Sequence, residues 1–400
     1  MTLPALDLTD VIDWDDVCFI DCETRSMGDP DAPDANVMDT STLRYAANSY
    51  PIVITWAFGL TGEVKRWATN NIHRPPMREE LPEELLEWDG YFAAWHAAFD
   101  REQMDATLDA GGIKSWLDMM VQASYNNMPL GLDRAAKAAG HKGKVASGKR
   151  LIKMFCVPDG DTPESHPEDW AEFLHYADED IVQMQAFAAA TLPVPFRVWQ
   201  EYWASEVINR RGLPIDLDMA RGGAALAEAY AEQTNTRVKE ITDGALYSVR
   251  QYDAQRAWVW ERVRGNPFLS EHMVVAHRVT DAGEDEYKLK MDRPRITKLI
   301  AALNTLDETQ GLTDDEYAVL CFLEEREFGA SAAPAKFAKM LDMVMPDGTV
   351  PNQYVFAGAT QTARYSSKGV QVHNMTRSTV GNTDAEEDAC MYLIEVGEKR

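Results

Sequence analysis

Two acidic residues near the start of the chain, Asp21 and Glu23, are the first candidates for chemistry because they directly follow an apolar run. The run, Val17–Ile20, is typical of a β-strand, and side chains two residues apart on a strand lie on the same face. Two carboxylates on one face repel each other, and a divalent cation between them relieves the repulsion. The spacing therefore indicates a cation site, although Asp-x-Glu also occurs often by chance.

Two later acidic segments strengthen this interpretation because they follow in order along the chain. Asp100 ends the sequence WHAAFD at 95–100, and Asp180 ends the sequence YADED at 176–180. As isolated acids, these residues would more commonly be helix caps or surface groups. As an ordered set with Asp21 and Glu23, they indicate a metal site.

The segment around Asp180 is expected to be helical from Pro167, since Pro followed by acids is typical of a first helical turn. On such a helix Tyr176 lies four residues before Asp180, about 40° past a full turn. His175 lies about 140° from Asp180 by the same geometry. Tyr176 is therefore expected beside Asp180, whereas His175 is not.

The elements that would position these residues can be read from apolar and polar patterns. Strands are predicted at 17–22, 51–59, 63–68 and 91–96. Helices are predicted near 78–88, after Asp100, over about 116–140 and from Pro167. Three antiparallel strands followed by alternating helices and strands indicate an α/β domain with a mixed sheet.

The acidic segments resemble the three exonuclease motifs of the DEDD family of 3′→5′ exonucleases, whose fold is RNase H-like. The resemblance covers roughly residues 15–190, and the expected order of strands and helices also fits an RNase H-like sheet. In the second motif, His96 stands where the family usually has Asn. That departure affects the contact that the Asn makes and leaves the metal site intact.

This resemblance implies a metal-dependent nuclease site. Two Mg²⁺ ions, for which Mn²⁺ may substitute in the family, would be held by four carboxylates: Asp21, Glu23, Asp100 and Asp180. Tyr176 matches a catalytic tyrosine of the family and would orient the attacking water, since a phenol with a pKa of ~10 is a poor base at neutral pH. One branch of the family uses a His five residues before the last Asp, and His175 keeps that alternative open.

Charge and composition limit the functional classes. The 400 residues are enough for two or three domains. The net charge of −26 predicts long-range repulsion of nucleic acid. Two stretches, 134–153 and 362–377, are nevertheless basic and contain no acid. They are expected to be either solvated loops or local phosphate contacts on an otherwise acidic body.

The compartment is predicted from cysteine usage and hydropathy. The five cysteines are scattered and form no Cys-x-x-Cys pair, which argues against a disulfide framework or a zinc site. No apolar run is long enough to span a bilayer, and Met1–Pro4 lacks the layout of a secretory signal. We therefore expect a cytoplasmic protein with no membrane partner.

The second half of the chain is expected to be mostly helical. Two prolines in Leu192–Pro195 break the preceding helix and predict a domain boundary. Beyond it, 197–264 is predicted to form long helices interrupted at 211–214, and 268–290 to be irregular. Residues 293–345 are predicted to be helical again, with breaks near Gly311 and Gly329.

Three motifs in this half resemble those of family-A DNA polymerases, in particular the bacteriophage type. EVINRRGLPID at 206–216 is similar to the segment that opens the polymerase portion. TARYSS at 362–367 and HNMTR at 373–377 are similar to two later signatures, with Ala, His and Thr at 363, 373 and 376 where the family has Gly, Gln and Pro. The resemblance implies that three residues contact the primer–template backbone or minor groove: Arg364, Asn374 and Arg377.

The catalytic motifs of the polymerase are the main departure from the family. The palm carboxylates, the fingers Lys and Tyr, and the His-Asp-Glu turn do not occur before Arg400. We expect the chain to stop as the palm begins, as a truncated product, as half of a split polymerase or as a natural exonuclease subunit. Polymerase activity is not expected from these residues alone.

These observations predict an α/β fold with three regions. An RNase H-like exonuclease domain is expected over 1–193, a helical thumb-like region over 196–350 and the start of a palm over 351–400. The predicted activity is hydrolysis of the 3′-terminal phosphodiester of DNA, which is proofreading within a polymerase. Expected partners are a single-stranded 3′ end, a primer–template, and the missing polymerase part or replisome proteins. A stand-alone nuclease with a helical DNA-binding domain and a catalytically idle DNA-binding or assembly module remain alternatives.

Overall fold

The computed structural model describes residues 10–28, 41–108, 112–141, 148–279, 285–330, 333–359 and 361–375. The described residues fall into two units. One comprises the chain up to Asp216 together with Lys339–Met375, and the other comprises Leu217–Ala338. The three-region division expected from the sequence stays a prediction. Among the described helices, none is long and apolar enough to cross a membrane.

A five-stranded mixed sheet forms the centre of the first unit, with strand order β3-β2-β1-β4-β5. The strands are β1 (Val17–Ser26), β2 (Ser49–Phe58), β3 (Lys65–Ala68), β4 (Tyr91–Ala94) and β5 (Trp116–Asp118). β1 pairs antiparallel with β2, and β2 with β3. β4 runs parallel to β1, and β5 parallel to β4. The predicted α/β class with a mixed sheet, consistent with an RNase H-like domain, is confirmed.

Helices surround this sheet and connect its strands. They are α1 (Thr42–Ala47), α2 (Glu83–Leu86), α3 (Ala97–Leu108), α4 (Met119–Tyr125), α5 (Leu132–Ala138), α6 (Gly148–Phe155), α7 (Pro167–Ala189) and α8 (Phe196–Arg211). Single 3₁₀ turns cover Trp14–Asp16, Arg78–Glu80 and Ile113–Ser115. α7 begins at Pro167 as predicted, with Pro in the first position and two acids in the first turn.

The described part of the remaining chain is mostly helical, in agreement with the predicted fold class. After the short strand β6 (Leu213–Pro214), the second unit contains α9 (Leu217–Ile241), α10 (Tyr252–Val263), α11 (Pro267–Ser270), β7 (Val274–Val279), β8 (Asp285–Leu289), α12 (Arg293–Gln310) and α13 (Asp314–Gly329). Then follow α14 (Ala335–Met343), β9 (Thr349–Val350), β10 (Tyr354–Ala359), β11 (Arg364–Ser367) and a 3₁₀ turn at Val372–Asn374. The breaks predicted near Gly311 and Gly329 are confirmed, and Gly311 caps α12 with φ 78°.

The two faces of β1 explain how the sheet is covered. Its odd-numbered residues Val17 and Phe19 are buried in a core that includes residues of α7. Its even-numbered residues Cys18 and Ile20 are buried in a second core, which includes residues of α3. This alternation is what a strand covered on both faces requires.

Two predicted elements were wrong. Helical segments were expected from about 116 to 140, but Trp116–Asp118 form β5, the edge strand beside β4. Residues 268–290 were expected to be irregular, but they contain the β7–β8 hairpin. β5 is only three residues long and continues into α4, and most of the hairpin is exposed. None of these three strands therefore has a long apolar run like the one by which β2 was predicted.

Candidate metal centre

Asp21 and Glu23 lie on the face of β1 that is turned toward α7. They continue the odd-numbered series of Val17 and Phe19 beyond the hydrophobic core, and both are half-buried. Asp21 is paired across the ladder with Thr55 of β2, and the register of that ladder shifts directly after Glu23. The predicted same-face placement of the two acids therefore follows from an ordinary strand, held by a fully buried neighbour.

Asp180 is brought to the same place by α7. It is buried, and the carbonyl oxygen of Ala177, one turn earlier, accepts a 3.2 Å hydrogen bond from the Thr55 hydroxyl. That bond connects α7 to β2 at the residue opposite Asp21. One carboxylate oxygen each from Asp21, Glu23 and Asp180 lies within 4.8 Å of the others. We call these three residues the carboxylate trio.

Asp100 approaches the carboxylate trio from α3. Because β4 runs parallel to β1 and leads into α3, the first turn of that helix begins beside Asp21. Asp100 is buried, and its Oδ1 accepts a 3.0 Å hydrogen bond from the backbone amide of Cys22. Burial raises the pKa of Asp100 well above its ordinary value, and the negative charge of Asp21 raises it further. Asp100 therefore lies next to the trio and is electrostatically coupled to it.

Tyr176 and His175 occupy different environments on α7. Tyr176 is only 7 % exposed, and its ring stacks on Phe173 with the centroids 6.5 Å apart. The ring also packs against Gly148 at the start of α6, where an added Cβ would clash with it. His175 is exposed. The burial agrees with the helical geometry used to choose Tyr176, while its catalytic role stays a prediction.

The chemistry of the donor set fits a hard cation. The trio offers carboxylate oxygens, which Mg²⁺, Mn²⁺ and Ca²⁺ prefer. Cys22 is close to these acids, but burial, followed by the charges of Asp100 and Asp21, raises the pKa of its thiol well above the ordinary value. Burial likewise raises the pKa of the Cys156 thiol. Both shifts disfavour the thiolate, and Cys22 belongs to the core on the opposite face of β1 from the trio.

Sequence reasoning missed the side chains that hold the start of α3. Asp118 caps α4 by accepting a 2.8 Å bond from the amide of Met120, and its same oxygen accepts a 3.1 Å bond from the amide of His96. An Asp between an apolar run and a helix is a recognisable capping signal. Lys368, whose Nζ lies 3.1 Å from His96 Nε2, could not have been found, since 272 residues separate the two.

The residues expected to contact DNA lie in the last described segment. Arg364 is exposed on β11, and Asn374 is exposed in the final 3₁₀ turn, where its amide donates a 3.2 Å bond to Gln371. Ala363, at the position where the resembled signature has Gly, takes the left-handed φ of 49°. Glycine adopts this conformation most readily, which accounts for the family's residue there. Arg377 lies outside the described residues.

Comparison with known proteins adds one relationship. No family model matches the chain. A DNA polymerase of Bacillus phage SP02 is 26 % identical over 282 residues, which cover 67 % of this chain and 38 % of that protein. The chain is thus a relative of a phage DNA polymerase. The matched part is well under half the length of that polymerase.

Proposed function

We propose that the chain contains a metal-dependent 3′→5′ exonuclease that removes the terminal nucleotide of a DNA strand, as part of a family-A DNA polymerase. The observation that carries the proposal is the carboxylate trio, with one oxygen from each of three residues within 4.8 Å of the others. The order of the motifs and the similarity to a phage DNA polymerase support it. In a complete polymerase this activity is proofreading.

The ligands of the proposed centre are the trio and the neighbouring Asp100. Asp21, Glu23 and Asp180 would hold Mg²⁺ or Mn²⁺, and Asp100 would complete the ligand set for two ions. Paired divalent cations supply the charge that activates a water and stabilises the leaving oxygen in phosphodiester cleavage. The Cys22 amide fixes the orientation of Asp100 through its bond to Oδ1.

Tyr176 has the proposed role of orienting the attacking water. Its hydroxyl would hydrogen-bond the water and direct it at the phosphorus, while the phenol keeps its own proton at neutral pH. The stacked Phe173 and the close approach of Gly148 restrict the ring to one position. The water would bond to phosphorus and lose a proton to solvent as the bond from phosphorus to the 3′ oxygen of the preceding nucleotide breaks. That 3′ oxygen takes a proton from solvent, and a nucleoside 5′-monophosphate is released.

Contacts to the DNA strand are proposed for exposed basic residues of the first unit. In the basic stretch 134–153, Lys137 is paired with Asp133, and Arg150 with Asp169. Lys149 and Lys153 are exposed on α6, whose first residue packs against Tyr176. These lysines offer local phosphate contacts despite the acidic net charge. By resemblance, Arg364, Asn374 and Arg377 would contact a primer–template.

The proposal is tested with the purified chain and a single-stranded oligonucleotide labelled at its 3′ end. Release of the labelled nucleotide should require Mg²⁺ or Mn²⁺, stop in EDTA and not be restored by Ca²⁺. The double variant Asp21→Ala/Glu23→Ala should be inactive. The matched control is Glu79→Ala/Glu87→Ala, which removes two exposed acids of the same unit and should keep wild-type activity.

Two single variants test the choice between the neighbouring residues of α7. Tyr176→Phe keeps the ring and its packing but removes the hydroxyl, so we expect a rate loss of about 10²–10⁴-fold. His175→Ala should have little effect because the side chain is exposed. Wild-type release of nucleotide by Asp21→Ala/Glu23→Ala would reject the carboxylate trio as the centre of the nuclease. An inactive His175→Ala beside a normal Tyr176→Phe would assign the chain to the histidine branch.

A further inference from the structure

The turn that starts α3 has an unusual backbone. His96, the last residue before the helix, has φ 68°, in the left-handed region that side-chain-bearing residues rarely adopt. Such a conformation is energetically unfavourable and persists only when its surroundings hold it. Its carbonyl oxygen accepts a 2.9 Å bond from the amide of Phe99, so the conformation of His96 determines how the first turn of α3 begins.

Two side chains hold this turn from opposite ends of His96. Asp118 Oδ1 accepts the backbone amide at 3.1 Å, and Lys368 Nζ lies 3.1 Å from ring Nε2. Lys368 directly follows β11, and its own amide donates a 3.0 Å bond to the carbonyl of Gln353, which directly precedes β10. The lysine is therefore fixed by the base of the β10–β11 hairpin.

The direction of the Lys368–His96 bond follows from the protonation of the ring. Burial lowers the pKa of Lys368, but the negative charges of Glu206 and Asp118 favour its ammonium form. An ammonium group can only donate, so Nε2 accepts and the imidazole is neutral. The surroundings keep it neutral, because burial lowers the pKa of His96 to about 3, and the charges of Lys368 and Arg101 add to the effect. A cavity of about 30 Å³ adjoins this contact and has room for about one water, which can accept from the ammonium.

We propose that Lys368 is a positioning residue of the candidate metal centre: by bonding His96 it fixes the first turn of α3 and thereby the carboxylate of Asp100. His96 and Asp100 are four residues apart, which is about one helical turn. The orientation of this turn therefore largely determines the position of the Asp100 carboxylate. Asp118 holds only the backbone of His96, whereas Lys368 holds the ring. The catalytic consequence rests on the proposed exonuclease, and the structural consequence does not.

Hydrogen exchange of the backbone amides tests the structural consequence in the full chain without metal. Lys368→Met keeps the aliphatic stem and removes the donor, so the amides of 97–104 should exchange about tenfold faster. The amides of β1 should be unchanged. In His96→Asn, the new asparagine can adopt the left-handed backbone, but its side chain is too short to reach Lys368. This variant should therefore accelerate amide exchange in 97–104 to the same extent. The control Lys114→Met makes the same change at an exposed lysine and should alter nothing.

Binding of Mn²⁺, followed by electron paramagnetic resonance, tests the effect on the centre. Lys368→Met should weaken binding by about ten- to a hundredfold, as for other residues that orient a ligand. The double variant with His96→Asn should be no weaker than either single variant, because both remove the same bond. Wild-type exchange in α3 with wild-type Mn²⁺ binding in Lys368→Met would overturn the proposal. So would full additivity of the two substitutions.

The nuclease assay separates this inference from the proposed function. If the wild-type chain releases no nucleotide while Lys368→Met still loosens α3 and weakens Mn²⁺ binding, the exonuclease is wrong and the positioning role stands. If the wild type is active and Lys368→Met matches it in exchange, binding and rate, the exonuclease stands and the positioning role is wrong.

Discussion

Asp100 and Arg101 are consecutive residues of α3 with opposite charges, and their electrostatic environments differ. Asp100 is buried beside Asp21, whose like charge raises its pKa. Arg101 is 1 % exposed and bonds two acids, Glu102 at 3.0 Å and Glu206 of α8 at 3.1 Å. One side of the helix therefore brings like charges together, and the other side pairs unlike charges.

The difference distinguishes the proposed cation site from a structural joint. On the Arg101 side, Glu206 also accepts a 3.0 Å bond from Asn209, whose amide in turn pairs with the backbone of Tyr354 at the start of β10. These bonds join α3, α8 and the hairpin within the first unit. On the Asp100 side, repulsion between carboxylates costs stability in the absence of a cation, and a cation reverses that cost.

Breaking the paired side should give the largest loss of stability. Arg101→Met leaves Glu206 buried without its guanidinium, so the free energy of unfolding should fall by about 3–5 kcal/mol. Asp100→Asn, at the next residue, removes repulsion from Asp21 and keeps an oxygen for the Cys22 amide. It should cost nothing, or stabilise, when metal is removed with EDTA. Urea denaturation measures the free energy of unfolding of both variants. Equal losses in Arg101→Met and Asp100→Asn would contradict the proposed difference between the two sides of α3.

A smaller effect on stability should come from protonation of the neutral imidazole of His96, which precedes α3. Burial lowers the pKa of His96 from about 6.5, its ordinary value in an unfolded chain, to about 3 in the folded protein. Below pH 6.5 the unfolded state therefore takes up the proton first, and stability falls as the pH falls. The slope is about 1.4 kcal/mol per pH unit, or roughly 2 kcal/mol between pH 6.5 and 5.

His96→Asn removes this titration, and the comparison with wild type cancels the contribution of other groups. Urea denaturation at several pH values should therefore show a shallower loss of stability for His96→Asn on acidification. Parallel pH profiles for the two proteins would mean that the His96 ring is accessible to protons in the folded state.

Local patterns predicted much of the region that holds the candidate site. The alternation in β1 placed Asp21 and Glu23 on one face, and the Pro167 start predicted the helix that carries Tyr176 and Asp180. These predictions succeeded because strand and helix periods are properties of neighbouring residues. The sequence missed β5 and the β7–β8 hairpin, which are short or exposed and carry little periodic signal.

Long-range partners could not be predicted in the same way. Two hydrogen bonds, between Lys368 and His96 and between Arg101 and Glu206, each join residues more than a hundred positions apart. No local sequence pattern predicts either bond. The left-handed φ of His96 is likewise not required by its residue type alone. The closure of the β4–α3 turn thus depends on a hairpin near the end of the described chain.

The most direct test of the metal centre is unfolding with and without a divalent cation. In EDTA, Asp21→Asn/Asp180→Asn should be at least as stable as wild type because carboxylate repulsion is relieved. With Mn²⁺ at about a hundred times its dissociation constant, the wild type should gain about 2.7 kcal/mol and the variant almost nothing. An equal gain in both proteins, or no gain in either, would contradict the assignment of the carboxylate trio as a cation site.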